Sequence, residues 1–234
     1  MKPNSTISIA LATFNGGAFL QEQFDSLASQ VLLPLELVVS DDGSDDQTFD
    51  LIQNFSRVAP FPVTLVQNRQ RLGYGLNFLN AASICAGSYI AFCDQDDFWL
   101  PQKIARISSI LQSGSFDLVA HSARVVDRRL NWLGANFPDI PLDKSHNEND
   151  KSVDVFWPGF SLTISQSLLS EVNLALSLSS DKANFAHDEL ICELVGDRSF
   201  HLIAEPLALY RQHGNNLIGF HGAMAARADL PKKS

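Results

Sequence analysis

The run Tyr89-Ile90-Ala91-Phe92-Cys93 leads straight into Asp94-Gln95-Asp96-Asp97. A short apolar run between Gly87 and Pro101 reads as a strand buried on both faces. Burial on both faces needs cover above and below, which points to helices packed on a sheet. The acids then stand at the carboxyl edge of that sheet, where open α/β folds hold their ligands. Three carboxylates this close repel one another, and a divalent cation offsets the repulsion directly. A hard ion such as magnesium is often held by one or two carboxylates plus substrate phosphates. The plain alternative is a solvated acidic turn capping the helix that starts near Pro101.

The rest of the chain follows the same pattern. Ile7 to Ala12 reads as a strand that ends in Thr13-Phe14-Asn15-Gly16-Gly17, and Leu20, Phe24, Leu27 and Val31 then recur at helical spacing. Leu35 to Ser40 is a second strand and runs into Asp41-Asp42-Gly43-Ser44. Leu51, Ile52 and Phe55 mark a helix, Val63 to Val66 a third strand, and Leu79, Ala82 and Cys85 the inner face of another helix. Beyond the acidic run, Ile104, Ile107 and Leu111 form a helical stripe, and Phe116 to Ala120 is a further strand. This alternation predicts an α/β domain with a mainly parallel, twisted sheet flanked by helices. No GxGxxG follows the first strand and no GxxxxGK[ST] occurs, which argues against dinucleotide and P-loop folds.

The second half is less regular. The polar stretch Asp139 to Ser152 predicts a mobile surface loop. Ser161 to Ile164 reads as a short strand and Gln166 to Leu176 as a helix, and Phe185-Ala186-His187-Asp188-Glu189 opens another. Phe200 to Ala204 and Leu207 to Tyr210 read as two strands, followed by the polar turn Arg211 to Asn216. A formal charge of -9 argues against nucleic acid as a partner, so an anionic ligand would need a metal or a few placed cations. Arg71 and Arg211 are shaped for phosphate, although Arg71 also suits ordinary surface pairing. Cys85, Cys93 and Cys192 sit in apolar runs without CxxC spacing and read as reduced core residues of a cytoplasmic protein. No apolar run is long enough to span a bilayer, and the first residues do not read as a signal peptide.

Four polar clusters thus end four elements: Thr13-Phe14-Asn15, Asp41-Asp42-Gly43-Ser44, Asp94-Gln95-Asp96-Asp97 and His187-Asp188. In this order they resemble a family 2 glycosyltransferase of the GT-A fold, from about Ile7 to Asn216. Gly73-Tyr74, Asn77-Phe78, the Asp94 to Trp99 run and Tyr210 to Asn216 are similar to the bacterial rhamnosyltransferase branch. The resemblance implies a domain over 1–219, with a nucleotide-sugar half (1–120) and an acceptor half (121–219), then a tail (220–234). It also implies a chain that often continues further. Asp42, beside Asp41, would accept from a pyrimidine N–H, with Thr13, Asn15 and Asn77 also on the nucleotide. Asp94 would lie near the ribose, and Asp96 or Asp97 would hold Mg2+ or Mn2+ beneath the diphosphate, with His213 a further contact. Asp188 would be the catalytic base, where His187 replaces the more usual Glu. The acceptor would lie between Trp157-Pro158-Gly159 and Asp188, with Trp157 offering a ring to stack on a sugar or else filling the core.

The implied reaction is inverting transfer from a nucleotide-diphosphate sugar, dTDP-rhamnose or a UDP-sugar, to a glycan or lipid-linked acceptor. A cytoplasmic site with peripheral membrane contact through Lys232 and Lys233 is compatible with that acceptor. Two rival readings are a non-catalytic sugar-nucleotide-binding domain and a metal-dependent nucleotidyl or phosphoryl transferase.

Overall fold

The computed structural model describes residues 5–146, 157–179, 186–196, 198–214 and 216. The tail 220–234 with Lys232 and Lys233, the polar stretch beyond His146, Phe185 and Asn215 lie outside them.

The first half is built as its apolar runs require. Strands β1 (Ile7–Thr13), β2 (Glu36–Asp41), β3 (Val63–Gln67) and β4 (Tyr89–Cys93) alternate with helices α1 (Leu20–Ala28), α2 (Thr48–Ser56) and α3 (Tyr74–Ile84). They pair in parallel in the order β3-β2-β1-β4. Along β1, Ile7, Ile9 and Leu11 enter one core layer while Ala10 and Ala12 enter the other. That two-faced burial explains why the strand carries no polar alternation. Helix α1 stops at Ala28, so Val31 lies beyond it and is exposed.

The second half makes the sheet mixed. After β5 (Phe98–Trp99) and α4 (Lys103–Ser113) come β6 (Leu118–Val126), β7 (Trp132–Asn136) and β8 (Lys144–His146). A 3-10 turn, Gly159–Ser161, then leads into β9 (Leu162–Ser165), α5 (Gln166–Leu178), α6 (His187–Val195) and β10 (Phe200–Arg211). The sheet continues β4-β9-β6-β10-β5; β9 runs antiparallel to both β4 and β6, while β6 and β10 are parallel.

Two local expectations are corrected, and one strand, β7, carried no sequence signal. The two strands read at 200–210 are one strand, and its pairing with β6 shifts register on either side of Pro206, which has no N–H to give the ladder. The polar stretch from Asp139 is no free loop throughout, because Lys144–His146 pairs with β10 through backbone bonds that polar side chains do not reveal. The hairpin strand β7, with Trp132 and Leu133 exposed, lacks the alternation that marks a half-buried strand.

One feature of the sheet positions the site. β9 pairs with β4 only from Tyr89 to Ala91. Past that point the ladder to β9 ends, the Gly159–Ser161 turn packs against β4, and β4 runs on into the acid-bearing turn 94–97.

Candidate active site

A cleft of about 330 Å³ lies at the carboxyl ends of β1, β2 and β4. That volume is within the usual range for small-ligand sites. Asp42, Asp94, Asp96 and Asp188 all line it, with Thr13 and Asn77. These residues are far apart in sequence, and the parallel strand ends and the start of α6 bring them together.

The donor side begins at β2. Asp41 is fully buried and accepts from the Thr13 hydroxyl (3.0 Å) and from the Ser44 N–H and hydroxyl. It closes the Asp-Gly-Ser turn and does not face the cleft. Asp42 does, and it also accepts from the backbone N–H groups of Leu72 (2.7 Å) and Gly73 (2.9 Å) and from Asn68 (3.1 Å). Those bonds fix the chain entering α3, where Gly73 takes a positive φ that favours glycine. A carboxylate has about four lone-pair sites, so capacity remains for a ligand N–H. Asn77 is held by donating to the Thr13 carbonyl (3.1 Å). Asn15 faces away: its side chain accepts from the Asp45 N–H, and its own N–H donates to the Ser44 hydroxyl, in a turn with φ 49°.

Two donor-side residues carried no separate signal in the sequence. Gln95 clamps the Phe14 peptide on both sides, accepting from its N–H (3.0 Å) and donating to its carbonyl (3.2 Å). A Cβ on Gly16 would collide with that same Gln95 side chain. The Phe14 ring, held in this way, carries the Arg71 guanidinium 3.7 Å above it. Both line the cleft beside Asp42 and form a flat, cationic wall suited to a base or a phosphate.

The acidic turn divides its duties. Asp94 and Asp96 line the cleft. Asp97 turns inward: it is 1% exposed, one carboxylate oxygen accepts from the Arg211 N–H (3.1 Å), and the other has no hydrogen-bond partner. Burial, then Asp96, then Asp188, push the Asp94 carboxyl up to about 8. Burial, then Asp96 and Asp94, raise Asp97 well above the usual carboxylate range. The internal counter-charge is Lys103, 1% exposed, over the Trp99 ring (3.5 Å) and donating to the Phe160 carbonyl (3.0 Å). Burial pulls its ammonium down to about 7, opposed by Cys93, Asp97 and Asp94.

The expectation that Arg211 meets phosphate is corrected, because its guanidinium is spent within the protein. It donates to the carbonyls of Asp96 and Arg128 (2.7 Å each) and pairs with Glu22 (2.6 Å). His213 reaches the turn itself, with Nε2 2.8 Å from Asp96 Oδ2 and its ring stacked on Phe19.

On the acceptor side, Asp188 sits in the first turn of α6 and accepts from the Gly159 N–H (3.2 Å). His187 is buried, with its ring 4.3 Å from Phe78 and 5.0 Å from Phe92, and neither ring nitrogen finds a partner. Burial holds His187 below its ordinary pKa despite Asp188, so it lines the cleft as a neutral ring. Trp157 is not part of the lining: it packs 5.1 Å from Phe200 in the core, the second of the two places open to it in the sequence. Tyr210, Phe137 and Phe160 supply apolar wall instead.

Among the described residues no three metal-ligating side chains converge as a preformed cage. The donor set in the cleft, Asp94 and Asp96, is what a magnesium-like ion accepts when the remaining ligands are water and phosphate oxygens. Asp97, directed into the core, does not belong to that set.

Residues 8–168 match the family model described as glycosyl transferase family 2. The chain belongs to that family. This family 2 chain is 25% identical over 230 residues to the dTDP-rhamnosyl transferase RfbG of Shigella flexneri, covering 93% of this chain and 76% of that one. An uncharacterized glycosyltransferase of Nostoc is 31% identical over 122 residues, 52% of this chain but 37% of its own length. Among solved structures, S. aureus TarS in complex with UDP superposes with a TM-score of 0.70 at 17% identity, over 88% of this chain and 60% of that chain. A mannosyltransferase from Pyrobaculum calidifontis, in complex with GDP-Man and Mn2+, gives 0.62 at 17% identity, over 95% and 60%. The fold of this family 2 chain is thus the GT-A fold.

Proposed function

We propose that this chain is an inverting glycosyltransferase that moves a sugar, L-rhamnose first among candidates, from a nucleotide-diphosphate donor to a glycan or lipid-linked acceptor. The observation that carries this reading is the convergence of Asp42, Asp94, Asp96 and Asp188 on one cleft. The rhamnosyl assignment draws on the Shigella relative and on the Tyr210-Arg211-Gln212-His213 turn. Residues 1–120 form the donor half and 121–219 the acceptor half.

The chain's own groups divide the work. Asp42 accepts from the base N–H, and Phe14 and Arg71 flank it. Asp94 and Asp96 would hold a divalent cation, with His213 orienting Asp96 from behind. When bound, that ion supplies a Lewis acid for the leaving diphosphate. Asp188 takes the proton from the acceptor hydroxyl as it attacks the anomeric carbon from the face opposite the diphosphate. Gly159 holds the Asp188 carboxylate in place, and the aromatic wall excludes water from the reacting centre.

A thermal-shift panel of nucleotide sugars, with and without Mg2+ or Mn2+, tests the donor, because a ligand of the folded state raises its melting point. Asp188→Asn tests the chemistry: donor binding stays within about twofold while transfer falls by roughly 10²–10⁴. An Asp188→Asn variant that turns over normally removes the residue from this role and leaves a binding module as the better reading. Release of pyrophosphate instead of nucleoside diphosphate indicates nucleotidyl transfer.

A further inference from the structure

The turn joining β6 to β7 lies beside the end of β10, where the Gln212 N–H donates to the Val126 carbonyl, and is not used by the proposed transfer. Its loop is tightly built. Asp127 accepts from the N–H groups of Arg129 (2.8 Å) and Asn131 (2.9 Å) through one oxygen and from the Asn131 amide (3.0 Å) through the other. The tip that this turn presents is apolar and basic. Trp132 is 62% exposed, Leu133 is 55% exposed, and Arg128 and Arg129 in the turn before them are exposed. Two observations set this apart from a chance surface hydrophobe. Two arginines in the turn, Arg128 and Arg129, adjoin these side chains in sequence on a chain of net charge -9, the Arg128 guanidinium lying 5.3 Å over the Phe19 ring, and Asp127 is committed to the turn. The second is Leu130, which holds a φ of 65°. Glycine or asparagine would fit that left-handed conformation with less strain, so a branched apolar side chain there comes at a cost to the fold.

An exposed indole, two leucines and two arginines within one turn make up the chemistry of an anionic lipid interface, where amphipathic aromatics sit at headgroup depth and arginines meet phosphates. The hairpin is also tied to the site. The Arg128 carbonyl accepts from Arg211, which donates to the Asp96 carbonyl. Phe137, just past β7, lines the cleft and exchanges backbone bonds with Ala123.

We infer that the 127–133 tip docks this protein on an anionic lipid surface, with the cleft mouth held at headgroup level. The inference rests on the proposed transfer only for its purpose, since docking itself needs neither donor nor turnover.

The test is sedimentation of the full chain with phosphatidylcholine vesicles, with and without phosphatidylglycerol. Binding is expected only to the anionic vesicles and should fall at high salt. Trp99 and Trp157 are buried, so a blue shift of tryptophan fluorescence on vesicle addition reports Trp132 and should vanish in Trp132→Phe. Arg129→Gln should weaken partition about fivefold. Leu130→Gly relieves the left-handed strain, so it should melt no lower than the parent while binding vesicles about tenfold more weakly. Equal binding of Leu130→Gly and parent overturns the inference, as does equal or absent binding to both vesicle types. Concentration-dependent dimerisation that Leu130→Gly abolishes would assign the tip to a second copy instead. Because the vesicle assay contains no nucleotide and the donor panel contains no lipid, either reading can fail alone.

Discussion

Replacing Gly159 with alanine tests how the acceptor side is assembled. A Cβ built at Gly159 lies 2.5 Å from His187 Nε2 and 2.9 Å from its Cε1. Gly159 has no positive φ, so the strain is steric. His187 is poorly placed to yield, because its ring is buried and wedged between Phe78 and Phe92. Either the ring or the Gly159–Ser161 turn must move by roughly 1 Å, an overpacking that costs about 1–3 kcal/mol. For a domain of this size each kcal/mol lowers the melting temperature by about 2–4 °C. The same displacement pulls the Gly159 N–H away from Asp188. Transfer should therefore fall further than stability does, while nucleotide binding on the Asp42 side stays close to parental. Thermal melts, nucleotide titrations and turnover separate these effects. Adding His187→Ala to Gly159→Ala should restore part of the melting temperature by making room. A Gly159→Ala protein that melts and turns over like the parent would falsify the packing argument.

Three further outcomes are expected. Asp96→Asn should abolish the dependence of nucleotide binding on divalent ions; titrations with and without a chelator check it, and an undiminished metal effect would move the ion elsewhere. Asp97→Asn, by contrast, should leave metal dependence intact, and a loss equal to that of Asp96→Asn would show that Asp97 reaches the ion. His121 is fully buried, and burial, with Lys103 adding to it, holds its imidazole well below the ordinary value. The unfolded chain then takes up a proton near pH 6.5 that the folded chain refuses. That stability is present above pH 6.5 and is lost as pH falls, by about 1.4 kcal/mol per pH unit from this group. The carboxyls of Asp94 and Asp97, raised by burial, change stability in the opposite sense over this range. Denaturant titrations of the parent are therefore compared with those of His121→Gln. The parent's advantage should shrink from neutral to mildly acid pH, and a difference that does not vary with pH refutes the assignment.

The parts of the fold that the sequence revealed are those whose side chains carry the information. Ile7 to Ala12 and Tyr89 to Cys93 are apolar on both faces, and only a covered strand tolerates that. β5 is two residues long, and β8 pairs through backbone groups under polar side chains, so neither leaves a pattern. β10 was legible as strand on both sides of Pro206, but its continuity depends on a parallel neighbour far away in sequence. The site follows the same logic. Asp42, Asp94, Asp96 and Asp188 stand in clusters at element ends, where charge repulsion marks them. Gln95 and Phe14 matter only because each holds the other, and a pair 81 residues apart has no local signature. Trp157 reads equally well as platform or core from sequence, and only its contact with Phe200 decides.

The Arg211 guanidinium joins Glu22 near the chain's start, the Asp96 peptide and the Arg128 carbonyl in the turn of the β6–β7 hairpin. During synthesis the first four strands emerge long before this arginine does. A nascent chain would therefore assemble its nucleotide-side scaffold early, yet hold the turn at Asp96 unshaped until the last strand is threaded beside β6. Competence for chemistry would then arrive late and all at once, and a ribosome-stalled fragment ending before Arg211 should fold in part while remaining inert.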